Sequence, residues 1–374
     1  MIRKTLLVLS SIALFVSCDN DLQIIADWKD VPVVYGILNA EDSVHYIKLN
    51  KAFLGRGDVM MMAQEFDSLH YAEEDVGLRL LEQEKAWIPS ENGEGWLTIS
   101  TIELEPTDEF DKPEGAFSSP TQIIYKSDTE INADALYAAE VYRISSDTLI
   151  AYTKNPIAIL SPVNITRPNS FSPLTITPNG FVPNVEWKSI AGGDMYELSM
   201  NFNYMEFPIS GEADTLYRSI EFNFPSRLSN NSEGGEKMTH SIDFYQFLNF
   251  IASNIPEDPT VRRLVVGMEA AQVVSGFAIT HACLNFKLLA AGEDLSTYLV
   301  LNENSSSLVL DRPEYSNIEN GIGILSSRTS DIVESVKITN SSNDEIATND
   351  VTKHLNFGTY QLNGNNEIEI SYGN

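Results

Sequence analysis

Short apolar runs rich in β-branched and aromatic residues recur along this chain, separated by Gly, Pro, Asn and Asp. Clear runs cover residues 31–38, 44–49, 77–81 and 139–144. β-Branched and aromatic residues favour strands, and the separating residues favour turns. Residues 367–372 alternate between apolar and polar side chains, which gives a strand one apolar face and one wet face. The pattern predicts a mostly β protein with antiparallel sheets.

A cluster of prolines marks the predicted boundary between two domains. Six prolines occur from Pro156 to Pro183, counting both. Each removes a backbone donor, so a central strand cannot run through this segment. A chain of 374 residues is also long for a single core. We expect an N-terminal immunoglobulin-like or transthyretin-like β-sandwich at residues 22–160. A larger sheet domain with one or two short helices should cover residues 163–374.

Helix signals are few. Asp58 predicts an N-cap for a short helix over residues 59–64. A second helix should follow Ser241 and end before Pro256, with a helical stripe formed by Phe244, Phe247, Leu248 and Ile251. Glu293 should open a third, because acidic residues stabilise a helix N-terminus.

The first 18 residues have the composition of a secretory leader. Basic residues 3–4 precede an apolar stretch over residues 6–16, and Ser17 and Cys18 follow. The apolar stretch is too short to span a bilayer, which indicates a removable signal peptide at residues 1–17. The junction resembles a bacterial lipoprotein box. This resemblance implies that Cys18 carries the lipid anchor and that residues 18–24 form a tether. A plain signal peptide cut nearby is the alternative.

The charge of the chain excludes one class of partner. It contains 53 acidic and 24 basic residues, for a formal charge of −29, and two of those basic residues belong to the predicted leader. The mature charge would therefore be 22 minus 53, or −31. Such a surface repels nucleic-acid phosphates, and no Lys/Arg cluster interleaved with aromatics offsets it. We expect no nucleic-acid partner.

The sequence contains no recognisable catalytic or metal-binding motif. Its histidines lack zinc-ligand spacing, and no Gly-x-Ser-x-Gly or Walker motif is present. We therefore predict no catalytic, cofactor or metal residue. Cys283 lies in the apolar run 277–286 near His281, but a buried thiol is favoured there over a nucleophile.

Two surface features leave a binding role open. Oxygen ligands concentrate in the loop that contains Asp108 to Glu114, which suits either a solvated acidic loop or a calcium site without EF-hand spacing. Trp87 and Trp96 flank a hairpin-like turn at residues 89–95, where they either pack on the hairpin or stack on sugars. Solvation and packing are the favoured interpretations.

Several segments resemble a known group of proteins. Residues 315–323 read Tyr-Ser-Asn-Ile-Glu-Asn-Gly-Ile-Gly, and residues 32–39, 48–55 and 292–298 add to the likeness. They are similar to segments of uncharacterised Bacteroidota cell-envelope lipoproteins, classed as domains of unknown function. The resemblance implies β-sandwich domains and an outer-membrane location on the cell surface or the periplasmic face. It implies no activity. In physical terms, Asn320 and Gly321 favour positive φ and Gly323 allows close backbone approach, which predicts a fold-defining turn.

These observations favour a non-enzymatic binding or partner protein held at the outer membrane by its lipid. An outer-membrane transporter, another envelope protein or an extracellular polymer is the expected partner. Two alternatives stay open. One is a carboxylate-based hydrolase of extracellular polymers, because a catalytic Asp/Glu pair leaves no local signature in so acidic a chain. The other is a structural component of envelope assembly.

Overall fold

A computed structural model describes residues 31–52, 58–88, 93–211, 214–273, 276–303, 315–363 and 367–372. Cys18, the predicted leader and the tether lie outside these residues. The fold is mostly β with few helices, as predicted. In the described part of the chain, no helix has the length and hydropathy needed to cross a membrane.

The strands are numbered in chain order. They are β1 (Val31–Leu38), β2 (His45–Ala52), β3 (Val76–Ile88), β4 (Gly93–Thr107), β5 (Ile124–Ser127), β6 (Leu136–Arg143), β7 (Thr148–Thr153), β8 (Ile157–Ala158), β9 (Ile165–Arg167), β10 (Asn184–Lys188), β11 (Gly193–Pro208), β12 (Leu216–Asn223), β13 (Arg227–Leu228), β14 (Lys237–Ser241), β15 (Val261–Val265), β16 (Met268–Val273), β17 (Gly276–Gly292), β18 (Ile318–Glu319), β19 (Ile322–Thr339), β20 (Gly358–Leu362) and β21 (Ile368–Tyr372). The helices are α1 (Val59–Ala63), α2 (Phe66–Leu69), α3 (Phe244–Asn254), α4 (Glu293–Glu303) and α5 (Asn340–Thr348), with a 3₁₀ turn at Lys353–Leu355.

One sheet of sixteen strands dominates the described residues. Its main path runs β12-β11-β17-β19-β1-β2-β5-β4-β3-β6-β7-β18. The pairings between these strands are antiparallel except for β1 with β19, which is parallel. The sheet was predicted to be mostly antiparallel, and this pair is the parallel exception on its main path. Almost the whole chain separates the two strands, and no hairpin therefore fixes their relative direction.

The segment formed by β18 and β19 joins the two ends of the N-terminal part of the sheet. β19 pairs with β1, the first strand of that part, while β18 pairs with β7, its last strand on the path. Asn320 between them has φ +58°, which confirms the predicted turn. The N-terminal strands thus curl round a core and are closed by residues from far along the chain.

The buried residues form two clusters. One includes Leu78, Tyr137 and Ile159, and the other begins at Leu160 and includes Trp187. The division lies beside the predicted boundary at residues 160–163. However, Ile318 and Leu325 from beyond that boundary belong to the first cluster. The domain boundaries and the immunoglobulin-like or transthyretin-like topology stay predictions.

A second layer covers the larger core. The three-stranded sheet β14-β10-β9 and helix α3 contribute Met238, Trp187 and Phe247, which pack with residues of β11, β17 and β19. Helix α3 buries its predicted stripe of Phe244, Phe247, Leu248 and Ile251. Asp243 caps it by accepting a hydrogen bond from the Gln246 N–H at 2.9 Å.

The C-terminal part contains three α-helices, α3, α4 and α5, where one or two were predicted. The missed helix is α5, whose buried residues include the polar Ser342 and Asn343. Ser342 Oγ accepts a hydrogen bond from the Ile176 N–H at 2.8 Å, and Asn343 Nδ2 donates one to the Gly358 carbonyl at 3.1 Å. A polar sequence that is buried in this way has no apolar stripe by which it could be predicted.

Candidate functional site

A cavity of about 410 Å³ lies on the outer face of the β1–β2 hairpin. Strand β2 alternates, so that Ile47 and Leu49 enter the core while Lys48 and Asn50 lie on the opposite face. The end of α2 and the loop before β5 supply the remaining walls. The residues that line the cavity are Val33, Lys48, Asn50, Lys51, Ala52, Leu69, His70, Lys112, Phe117 and Gln122. We call this space the lysine cavity.

Hydrogen bonds hold the loop wall of the lysine cavity in place. Gln64, which follows α1, donates from Nε2 to the Ala116 carbonyl at 2.6 Å. The Ser118 N–H donates to the Ala63 carbonyl at 2.7 Å. Asp58 in turn caps α1 by accepting from the Met60 N–H at 2.9 Å, as the sequence predicted. Helix α1 and the residue after it therefore fix the loop that carries Lys112 and Phe117.

Three half-buried lysines of the cavity have no carboxylate partner within the described part of the chain. Six other lysines do, for example Lys126 with Glu109 at 2.7 Å. The Lys112 ammonium donates to the Ser118 carbonyl at 3.2 Å and lies 4.9 Å from the Phe117 ring centroid. Lys51 lies 5.6 Å from the centroid of the Tyr71 ring. Lys48 completes the set.

Two effects act on the Lys112 ammonium. Burial, followed by repulsion from Lys48, lowers the pKa of Lys112. Both effects oppose its positive charge, and the described residues provide no carboxylate to offset them. An anion in the cavity would supply the missing charge.

His70 contributes a neutral imidazole to the cavity wall. Its ring stacks on Phe66 with 4.3 Å between centroids, and its Nδ1 lies 3.3 Å from Asn50 Nδ2. Because an amide nitrogen only donates, Nδ1 accepts and the ring proton is on Nε2. Burial, with further contributions from Lys112, Lys48 and Lys51, lowers the pKa of His70 to about 4. The ring is therefore uncharged at neutral pH, and the positive charge comes from the lysines.

The sign of the lysine cavity is opposite to that of the chain as a whole. The chain carries a formal charge of −29, yet this concave site gathers three cations. Low-dielectric walls around a charged recess concentrate its potential and attract ions of the opposite sign. The arrangement can bind an anion. No Ser, Thr, Cys, Asp or Glu side chain is among the described residues that line it.

The carboxylates of the acidic loop do not converge. Glu109 pairs with Lys126 at 2.7 Å, and Glu103 in the preceding strand β4 accepts a hydrogen bond from the Tyr142 hydroxyl at 2.7 Å. Asp108, Asp111 and Glu114 are exposed. Among the residues that the structure describes, no group of three or more His, Cys, Asp or Glu side chains could hold a metal ion.

Cys283 is fully buried in β17, which confirms the prediction of a buried thiol. Burial raises the pKa of Cys283, so its nucleophilic thiolate is disfavoured. His281 is also buried, and its Nε2 lies 3.2 Å from Asn340 Oδ1. Both residues are structural in this arrangement.

The carboxylate-hydrolase alternative needs a cleft with two acids, one of which has a raised pKa. A cavity of about 710 Å³ over β11 contains Glu197 and Glu221 beside Lys287. Burial, followed by repulsion from Glu345, raises the pKa of Asp344, but this residue is on α5 and does not line that cavity. Neither observation supplies the acid–base pair that the alternative requires.

The tryptophans divide into core and surface. Trp187 is buried at 1% exposure. Trp87 and Trp96 are 62% and 41% exposed on the β3–β4 ribbon, so they do not form core. The register pairs Trp87 with Glu94 and Lys85 with Trp96, which places both indoles on the same face of the ribbon. Trp28 lies outside the described residues.

The lysine cavity was not predicted from the sequence. Lys112 stands among acidic residues and is more than sixty positions from Lys48 along the chain. The strand alternation that directs Lys48 away from the core was the one local signal. Only the fold brings Lys112 to the same cavity.

No protein-family model matches this chain, and no curated protein matches it. A weak structural likeness exists to the C-terminal globular domain of an oligosaccharyltransferase from Pyrococcus abyssi. It has a TM-score of 0.21 and 12% sequence identity, and it covers 68% of this chain. The chain spans about 45% of the length of that neighbour.

Proposed function

We propose that this chain is a lipid-anchored cell-envelope protein that binds a small anion in the lysine cavity without transforming it. The observation that carries this proposal is the set of Lys48, Lys51 and Lys112, which lack carboxylate partners in the described structure of a strongly acidic chain. Like charges held together in a recess cost stability. Functional sites commonly retain such features because the ligand needs them.

The proposed location at the outer membrane is supported by the leader and by Cys18. Residues 19–30 connect Cys18 to β1, and Val33 of β1 lines the lysine cavity. Thirteen residue steps from Cys18 to Val31 can span at most about 45 Å. An acylated Cys18 would therefore keep the cavity close to the membrane.

The binding test uses the full chain in an uncharged detergent and titrates phosphate and citrate by calorimetry. We expect binding of at least one anion tighter than about 1 mM. Lys48→Gln and Lys112→Gln should each weaken that binding about tenfold, while the exposed Lys188→Gln should leave it unchanged. Failure of both anions to bind, or equal losses in all three variants, would contradict the proposal.

A second proposed role is docking to a partner such as an outer-membrane transporter. Its support is the pair Trp87 and Trp96, exposed on one face of the β3–β4 ribbon, because aromatic residues are enriched where proteins meet. Co-purification from membranes should lose the partner in a Trp87→Ala, Trp96→Ala double variant. Tyr217→Ala, at a residue that is 78% exposed, is the matched control.

A further inference from the structure

The lysine cavity has two chemically different sides. Its lysines provide positive charge, while Val33, Leu69 and Phe117 provide apolar surface. The two sides meet where the Lys112 ammonium lies 4.9 Å from the centroid of the Phe117 ring. We infer that the anion is a compact organic polycarboxylate with a ring or similar apolar body, which lies against Phe117 while its carboxylates face the lysines. This inference rests on the proposed anion-binding function.

The volume favours an organic ligand over a simple inorganic ion. The cavity measures about 410 Å³, and each water molecule in the liquid occupies about 30 Å³. The space therefore corresponds to about 14 waters. A single phosphate would leave most of this volume filled with water. Pockets that bind small organic molecules have volumes from about 300 Å³ upwards, so the cavity is large enough for one.

The charge sets a lower limit on the number of anionic groups in the ligand. Three ammonium groups line the cavity, and repulsion from Lys48 contributes to the lowered pKa of Lys112. One carboxylate cannot balance this charge. Two or three carboxylates would offset it without leaving an excess of negative charge beside the acidic surface.

The donors of the cavity are separate point charges and amides. No arginine is among the lining residues of the described cavity, so the site lacks the forked donor that would hold two oxygens of a single anionic group. Helix α2 reaches the cavity with its C-terminal end. There the carbonyl oxygen of Leu69 accepts a hydrogen bond from Asn50 Nδ2 at 3.1 Å. Point-charge lysines, with Gln122 and the His70 Nε2–H as nearby donors, suit separate carboxylates.

Calorimetry on the full chain in an uncharged detergent tests this ligand class with four probes. They are benzene-1,3,5-tricarboxylate, citrate, benzoate and inorganic phosphate. The benzene tricarboxylate should bind at least about tenfold tighter than citrate, which has the same number of carboxylates but no ring. The benzene tricarboxylate should also bind more tightly than benzoate, which has the ring but only one carboxylate.

Variants separate the two sides of the cavity. Phe117→Ala should weaken benzene-tricarboxylate binding about three- to tenfold and leave citrate unchanged. Lys112→Gln should weaken both. Phe171→Ala, at a residue that is 87% exposed outside the cavity lining, should change neither.

The outcomes distinguish the two proposals. Equal affinity for the benzene tricarboxylate and citrate, with no effect of Phe117→Ala, would overturn the polycarboxylate inference and leave anion binding standing. Tightest binding of phosphate would overturn it in the same way. No binding of any probe would overturn both.

Discussion

Gly323 lies against Val34 so closely that no other residue fits at its position. Its φ is +115°, and a Cβ at Gly323 would overlap the carbonyl oxygen of Val34. The two residues are partners in the parallel pairing of β19 with β1. This contact lies where the C-terminal strands join the N-terminal sheet, so it is one of the points that hold the fold together.

Replacing Gly323 with Ala should therefore strongly destabilise the folded protein. Positive φ and direct overlap with backbone act together, and we expect a loss of at least about 3 kcal/mol in the free energy of unfolding. Urea unfolding followed by circular dichroism measures it. Gly115→Ala is the control, because a Cβ there meets nothing within 4 Å and should change stability by less than about 0.5 kcal/mol. Equal effects of the two variants would refute the role of Gly323.

Asn317 fixes the same region through its side chain. Its Oδ1 accepts from the Leu325 N–H at 2.9 Å, and its Nδ2 donates to the Leu325 carbonyl at 2.7 Å. Asn317→Ala would leave both buried backbone groups unpaired and should cost about 2–4 kcal/mol. Asn169→Ala removes a side chain that accepts from two N–H groups on an exposed segment, and it should cost about 1 kcal/mol. Similar midpoints in urea for both variants would count against this interpretation.

The stability of the protein should fall in mild acid. The pKa of His70 is lowered from 6.5 to about 4 in the folded chain, so between these values the unfolded chain binds more protons. Stability contributed by the neutral ring is present above pH 6.5 and is lost as the pH falls towards 4. His70 alone should remove about 2 kcal/mol between pH 7 and pH 5.

The pH effect has a direct control. Burial also lowers the pKa of His45, His240 and His281, which adds to the loss of stability as the pH falls. Urea unfolding at pH 7 and pH 5 should show a smaller difference for His70→Gln than for the original chain. His354→Gln, at an exposed position, should retain the full difference. A pH-independent unfolding curve would exclude this account.

Removing a cavity lysine should stabilise the empty protein. Lys48 faces Lys112 without a carboxylate partner among the described residues, so Lys48→Gln removes repulsion and should raise the free energy of unfolding by about 0.5–1 kcal/mol at low salt. Lys188→Gln makes the acidic surface more negative and should be neutral or slightly destabilising. Thermal unfolding at two salt concentrations measures both. Destabilisation by Lys48→Gln would argue against charge strain in the cavity.

The proposed acylation of Cys18 predicts that the protein partitions into detergent. The native chain should enter the detergent phase on temperature-induced phase separation, and Cys18→Ser should stay in the aqueous phase. Cys283→Ala retains Cys18 and should partition like the native chain. Mass spectrometry of the N-terminal peptide should show a diacyl or triacyl modification on Cys18. Native protein that carries no lipid on Cys18 would contradict the proposed lipid anchor.

Local patterns in the sequence predicted the strands well because alternation and turn residues act over short distances. β1 was predicted at its observed bounds, and the stripe of α3 faces the core as expected. Helix α5 was missed because Ser342 and Asn343 are buried through hydrogen bonds rather than apolar contact. The predicted close approach at Gly323 was confirmed, although its partner Val34 lies almost three hundred residues away and could not be named from the sequence.

The sequence alone determined the β-rich character, the main turn residues and the acidic charge, since these follow from the identity of neighbouring residues. Tertiary structure decided the parallel pairing of β1 with β19 and the closure through β18. It also decided that Lys48 and Lys112 share one cavity. These features depend on contacts between distant segments, which form only when burial of two cores offsets the entropy of closing long loops.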